Sequence, residues 1–312
     1  MVRSNSNRKI MYDCIGMGVN AVDYLSILDP YPNLDDKVDV ISSSVQGGGP
    51  VPTAMATLAK LGAKVCYIGK VGDDPEGELV RAQLEKEGVD TRYLIVDKKI
   101  QTSKAFIWVD KKSGKRTVAL DRDRKNNLKP SELGFLDSIF TKFLHLDARE
   151  PEINIMVARW AKKQNAEICL DVGSLRKGVE KVFPYVDHLI VSKRFACGFV
   201  KTLDPFKACR ELMKRGFKTT VVTIGENGCI CESGNDIFLS PGFSVKVVDT
   251  TGAGDVFHGA FIYGLLRRWS LEKTVKFANA CSALKCRRLG GRAGIPTLTE
   301  VNGFIKSFKR NM

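Results

Sequence analysis

No apolar run in this 312-residue chain approaches the roughly 20 residues that cross a membrane, so a membrane-spanning helical protein is excluded. No apolar segment follows the polar, basic start MVRSNSNRK, so a short N-terminal arm is expected there and a secretory leader is not. Low-complexity stretches and internal repeats are absent too, and prolines number only 11. Among nine cysteines (14, 66, 169, 197, 209, 229, 231, 281 and 286) the nearest to a paired motif is Cys229-Ile-Cys231, whose spacing suits neither zinc nor a redox couple. An odd number of thiols set in apolar patterns reads as reduced, buried cysteine in a cytoplasmic protein. Acidic charge is outweighed, with 49 Lys and Arg against 35 Asp and Glu and a net charge of +14. The basic residues are scattered through KKSGKR, RKGVEK, KRGFK and RRLGGR, without the aromatic-laced stripe of a nucleic-acid surface. A substrate carrying phosphates accounts for the excess better.

What the chain does have is alternation. Short apolar or β-branched runs at 12–16, 64–69, 143–147, 167–171, 188–191 and 219–224 read as strands. Amphipathic helical windows lie between them at 53–61, 76–87, 152–164 and 206–215. This order predicts an α/β fold, a doubly wound, mostly parallel sheet flanked by helices. Gly62, Gly88 and Gly216 each follow a helical window where a C′ residue belongs, and Asp74-Pro75 reads as an N-cap followed by the first helical residue. Two stretches, 37–45 and 104–121, have strand composition with no helix between, the second turning at Lys112-Ser113-Gly114. They predict a small β-sheet lid, from about 24–45 and 100–121, on one domain spanning 1–312.

The stretch DTTGAGDVFHGA at 249–260 carries the strongest chemical signal. A strand is expected to end at Val248, and a helix to start near Gly254 or Asp255. Amides of the turn would then converge at a helix N-terminus, where orphan donors and the dipole favour an anion. No Lys-Ser/Thr pair follows the glycines, so this is not a Walker loop, and Phe257 stands where GxGxxG needs glycine. Taken alone, Asp255 reads equally as a helix-capping carboxylate. A second stretch, QGGGPVPTAMATLAKLG at 46–62, brings three glycines and two prolines into a helix. It suits either a strand–helix turn or a backbone approached closely by a small polar ligand, with Thr53 adding a hydroxyl.

In this order the two stretches resemble the signatures of the PfkB-type carbohydrate kinases, the ribokinase family. VGDDPEG (71–77), VVTIGENGC (221–229) and SALKCRRLGGRAGIP (282–296) are similar to further landmarks, so the resemblance covers nearly the whole chain. It implies a ribokinase-like fold and transfer of the ATP γ-phosphoryl group to a hydroxymethyl oxygen, with Mg2+ on the phosphates. It makes Asp255 the catalytic base and Gly252, Ala253 and Gly254 the anion hole. It assigns Asp23, Gly48, Gly49 and Thr53 to the sugar, and Thr223, Gly225, Gly228, Asn279 and Ser282 to the nucleotide. Asp249 and Thr251, with carbonyls around 288–294, match a potassium site found in some members. By spacing, Lys37 and Arg149 match residues that hold the anionic tail in the sulfofructose kinase branch, although Leu120 stands where that branch has Asn. VSKRFACGF at 191–199 lacks the Glu of the family's Asn-x-x-Glu motif, as in the ketohexokinase branch, and leaves Lys193 as the charge for the phosphates. His258 reads as a packing residue, and His145 and His188 are given no chemistry. The expectation is an ATP-dependent kinase for a ketose-like furanose, neutral or with an anionic tail, using neither nucleic acid nor membrane and pairing as a homodimer through its lid. A nucleoside kinase of the same fold and a non-catalytic sugar or nucleotide sensor are the alternatives.

Overall fold

The structure, a computed structural model, describes residues 10–310; the expected N-terminal arm lies outside them. The first third holds β1 (Ile10–Met17), β2 (Ala21–Leu28), β3 (Val40–Gly48), α1 (Pro50–Lys60), β4 (Val65–Gly72), α2 (Pro75–Lys86) and β5 (Leu94–Asp97). Next come β6 (Lys104–Asp110), β7 (Arg116–Asp121), β8 (Ile139–Asp147), α3 (Pro151–Lys162), β9 (Glu167–Val172), β10 (His188–Ser192), α4 (Lys193–Val200) and α5 (Pro205–Met213). The last part holds β11 (Thr219–Thr223), β12 (Cys229–Ser233), β13 (Asp236–Ser240), α6 (Ala253–Leu266), α7 (Leu271–Lys285) and α8 (Leu298–Arg310). None of these helices is long and apolar enough to cross a membrane.

A nine-stranded sheet runs in the order β13-β12-β11-β10-β9-β8-β1-β4-β5, and a four-stranded sheet in the order β3-β2-β6-β7. From β11 to β5 every neighbour in the large sheet is parallel, while β12 and β13 finish it as antiparallel edge strands. Its strands alternate between two cores. Ile168 and Leu170 face a layer with α3, α4 and α5, and Cys169 faces one with α1, α6, α7 and α8. Each such side chain contributes roughly 1.5–3 kcal/mol when buried, so both faces must be covered. Eight of the nine cysteines are buried and all nine are free, as their apolar settings predict.

Local chemistry explains the helix starts. Four helices open on a proline, whose missing N–H costs nothing in a first turn. For α1 this moves the start to Pro50, three residues ahead of the expected window. Asp74 caps α2 by accepting from the Gly77 amide at 2.7 Å. Gly62, Gly88 and Gly216 have φ of 97°, 85° and 93°, the left-handed conformation of a helix C′ residue.

One expectation fails. The segment before the 249–255 turn is not a strand: no sheet edge faces it, and the amides of Val248 and Asp249 donate instead to the Cys286 carbonyl at the end of α7. The smaller sheet falls where 24–45 and 100–121 place it, with β2 at its centre pairing with both β3 and β6. Asp23, Tyr24 and Ser26 interrupt the apolar run of β2.

Candidate active site

Helix α6 is apolar on every side, and Val256 to Gly264 are all buried. Gly259 lets it press on α1, since a Cβ there would stand 2.5 Å from the Ala54 carbonyl oxygen, and Gly264 does the same against Thr274 of α7. The helix is thereby fixed with its N-terminus at the edge where β8, β9 and β10 end, the edge at which doubly wound sheets bind ligands.

Gly252, with φ 73°, turns the chain into this helix. Among the described residues the amides of Gly252, Gly254 and Asp255 donate to no protein acceptor, and Gly254 opens on free space. The Ala253 amide is different. It donates to the Thr250 carbonyl at 3.2 Å, so of the amides expected in the anion hole that of Ala253 is already engaged, while that of Asp255 is free. Asp249 braces the turn from behind, its Oδ1 accepting from the Thr251 amide and hydroxyl at 2.8 and 2.7 Å and its Oδ2 from the Gly290 amide at 2.7 Å.

Asp255 is half-buried at the head of α6. Burial, then the nearby Asp171 carboxylate, push its pKa up to about 6, against the opposing charges of His258, Arg116 and Lys285. His258 is buried, with Nε2 3.3 Å from Asp171 Oδ1 and its ring 5.3 Å from that of His145. Burial opposes ionisation of Asp171, yet its pKa lies below the usual range because His258, His145 and Arg149 together outweigh burial.

Facing this turn, β2 carries Asp23, which is 7% exposed. Its carboxylate accepts no hydrogen bond from the described residues, and burial pushes its pKa up to about 7 while Arg292 opposes. Gly48 lies against it so closely that any Cβ would collide with the carboxylate. Gly49, with φ 100°, passes the Val19 carbonyl at a distance only glycine tolerates. Thr53 is buried in the first turn of α1. Beneath these glycines lies Arg292, 3% exposed, with Nη2 donating to the Gly48 carbonyl at 3.2 Å and its amide donating to Gln46 Oε1 at 3.0 Å.

Three arginines gather where β7, β8 and β9 end. Arg122 lies 3.6 Å from Glu150 and donates to Asn127. Arg149 and Arg176 are half-buried, and neither guanidinium has a hydrogen bond or ion pair among the described residues. The segment carrying Arg176 packs against the start of α3, with a Cβ on Gly178 3.8 Å from Pro151. Burial, then the cations Arg176 and Arg122, hold the Arg149 pKa below its usual value. Lys37 is exposed in the loop between β2 and β3.

The lid hairpin touches the turn directly. Thr250 donates to the Gly114 carbonyl through its amide and its hydroxyl, at 3.1 and 3.0 Å, and Arg116 donates to that hydroxyl at 3.1 Å.

Lys193 is exposed at the first position of α4, directly after β10. Thr223 closes β11, and Gly225 and Gly228, with φ of 67° and 97°, shape the turn after it, Gly225 toward open space. Ser282 donates to the Ala253 carbonyl at 2.9 Å, tying α7 to the turn. Asn279 is 6% exposed and its amide donates inward to Ser240 and Pro241, so it anchors the end of β13. Arg116, Asp171, Arg176, Lys285 and Arg292 are the site-side residues that sequence reasoning left out.

A sequence family described as pfkB family carbohydrate kinase matches residues 21–298. The chain is 28% identical to an ATP-dependent ribose-1-phosphate kinase of Halopiger xanaduensis, over 89% of this chain and 93% of that one. It is 30% identical to a probable fructokinase-5 of Arabidopsis thaliana, over 84% and 88%. The solved ribokinase of Thermotoga maritima superposes with a TM-score of 0.81 at 27% identity, over 95% of this chain and 99% of that one.

Proposed function

The chain belongs to the pfkB family of carbohydrate kinases, and from that premise we propose that it phosphorylates a primary hydroxyl of a ketose-like furanose bearing an anionic tail, with ATP as donor. The observation that carries the tail is the pair of unpartnered, half-buried guanidiniums of Arg149 and Arg176. Two like charges partly withdrawn from water, with the Asp147 and Asp171 carboxylates near but beyond ion-pair distance, are stabilised further when an anion joins them. A phosphate or sulfonate offers each arginine the bidentate geometry it prefers. Among the relatives, the Halopiger enzyme is named for a sugar phosphate and the Thermotoga one for neutral ribose, so both acceptor classes occur around this chain.

In this reading the chain works as one unit, the large sheet holding the nucleotide and the lid covering the sugar. Asp23 and the Gly48–Gly49 backbone hold the sugar hydroxyls, with Thr53 behind them. Asp255 takes the proton as the hydroxyl oxygen bonds to the γ-phosphorus. The bond from that phosphorus to the bridging oxygen breaks, ADP leaves, and the proton passes from Asp255 to water. Amides of Gly252, Gly254 and Asp255 receive the charge on the transferring group, and these fixed dipoles need no reorganisation. Lys193 serves the outer phosphates, and Thr223, Gly225 and Gly228 border the nucleotide. A magnesium ion carried with the nucleotide supplies charge neutralisation there. Among the described residues no three carboxylates, histidines or cysteines group into a metal cage, and the nucleotide phosphates would supply oxygen ligands to such an ion. A second copy covers the lid face opposite Asp23, where Tyr24 stacks on Phe106 at 5.5 Å and Trp108 and Val45 are each 49% exposed.

The test is an ADP-release assay over neutral ketoses, ribose, sugar phosphates, a sugar sulfonate and nucleosides. An anionic furanose is expected to lead in kcat/KM, and Arg149→Gln to cost about 10- to 100-fold on that substrate, the worth of one charged hydrogen bond. A neutral sugar or a nucleoside that outperforms every anionic acceptor, unaffected by Arg149→Gln, overturns the reading. Tight sugar binding without turnover would revive the sensor alternative.

A further inference from the structure

Two of the groups expected to hold potassium, Asp249 and Thr251, are already engaged with each other. Asp249 is fully buried, and its two carboxylate oxygens accept from Thr251 and Gly290. Into the same place comes a side chain from the last turn of α7. Lys285 has no accessible surface, and its Nζ donates to the Asp249 carbonyl oxygen at 2.8 Å and lies 3.9 Å from Asp249 Oδ2. Cation and ligands therefore coincide within one chain. We infer that the Lys285 ammonium is the monovalent cation of this site, built in covalently, and that catalysis needs no potassium.

The chemistry suits the exchange. An ammonium carries one positive charge and three donors for oxygen acceptors, and it is compact where a guanidinium is broad and planar. The inference rests on the kinase reading of the 249–255 turn, because that turn is what the ammonium organises. Asp249 orients Thr251 on one side and Gly290 on the other, and a Cβ on Gly252 would lie 2.6 Å from Gly291 Cα. The loop that follows Lys285 folds back on it, with Gly294 packed against the Lys285 carbonyl. One turn earlier Ser282 of the same helix holds the Ala253 carbonyl. The end of α7 thus grips the turn at two carbonyls, and the charge behind it reinforces the positive end of α6. Burial pulls the Lys285 pKa down and Asp249 opposes that pull, as a paired buried ammonium requires. Lys285 touches neither sugar nor phosphate, so it is a positioning residue.

Activity is measured in a buffer whose only monovalent cations are bulky amines, then with KCl added against choline chloride at matched ionic strength. The wild type is expected to change by no more than about twofold, the size of a general salt effect. A saturable, potassium-specific activation of about tenfold or more overturns the inference. Lys285→Met is expected to lose about 100-fold in kcat, the order of losing an anion-stabilising donor, and to regain part of it with potassium or ammonium ion. A Lys285→Met enzyme that keeps wild-type kcat in amine buffer overturns the inference as well. Thermal melting of the wild type in KCl against choline chloride reads the cation site with no turnover, and does so even if Lys285→Met fails to fold. Equal melting supports the built-in cation, and a potassium-specific rise contradicts it. If no acceptor in the panel is phosphorylated, the kinase reading fails while the melting comparison still decides the cation.

Discussion

The two ends of the cleft are built in opposite ways. In the function proposed above, the phosphoryl end comes from one continuous stretch, 249–255, clamped from beneath by buried Asp249 and Lys285 and extended into helix α6, which is buried from Val256 to Gly264. In the same proposal the sugar end is assembled from β2, the turn after β3, and the loops that follow β7, β8 and β9, and much of it is half-exposed. Phosphoryl transfer asks for donors fixed in one geometry, whichever hydroxyl arrives. Discrimination among hydroxyl compounds asks for a few contacts that can change independently, each worth about 1–3 kcal/mol. The division lets a family keep one chemistry and vary its acceptors, as the ribose-1-phosphate kinase and fructokinase relatives illustrate.

The sharpest way to break this comparison is Asp255→Asn, because it removes chemistry from the fixed end and leaves the other intact. Loss of the general base should lower kcat by about 10³-fold. Nucleotide-induced thermal stabilisation should survive, and comparable turnover by the variant would remove Asp255 from the mechanism. The wild-type rate should fall as pH drops through about 6, because only the ionised carboxylate accepts a proton and burial, with Asp171, raises its pKa to that value. Stability moves the other way. The folded-state pKa lies above the ordinary 3.8, so the folded protein holds this proton more tightly, and stability is lost as pH rises from 3.8 through about 6. Asp255→Asn at neutral pH should therefore melt no lower than the wild type. A lower melting temperature would mean that the carboxylate supports the fold.

The same division decided what could be read from the sequence. Gly252, Gly254 and Asp255 are adjacent, and a glycine turn before an apolar helix has a local meaning. The parallel strands were legible because burial on both faces makes them short apolar runs, and the helix ends because glycine and proline act within a few residues. Arg176, by contrast, sits in a segment with no local pattern, and only the pairing of β8 with β9 brings it beside Arg149. Arg116 was counted as one of the scattered charges of KKSGKR. Lys285 left a signal that went unused. It falls at helical spacing from Thr274, Ala278 and Cys281, all fully buried, so the apolar stripe of α7 runs straight through a lysine. The supposed strand before Asp249 shows the reverse error, because VKVVD has strand composition but β pairing needs a neighbouring edge, and here the end of α7 supplies the acceptor.

The two ends meet at Thr250, so the next test concerns their coupling. Arg116 and Gly114 hold the lid hairpin to the fixed turn through this one threonine. Arg116→Ala should loosen that latch and lower kcat/KM by about tenfold, the worth of one hydrogen bond to a charged group. A closed lid also keeps water from the phosphoryl group, so ATP hydrolysis without sugar should rise relative to transfer. An unchanged ratio of hydrolysis to transfer would show that the hairpin contact does no gating. Arg116→Lys preserves the charge without the fork, and should recover only part of the loss.

The smallest effect on turnover is expected where the lid faces away from the sugar. Trp108 alternates along β6 with Ile107 and Val109, which point into the core, and is left 49% exposed beside Phe106. An exposed aromatic pair of this kind is the usual centre of a contact between copies. Trp108→Glu should convert a dimer to a monomer, read by light scattering on a sizing column, while kcat stays within about twofold because the residue lies on the side of β6 opposite Asp23. A wild type that is already monomeric would refute the pairing. A variant that loses its dimer and most of its activity together would sharpen the comparison in the other direction. It would show that the adaptable end needs a second lid to hold its shape, so that the fixed end alone is complete within a single chain.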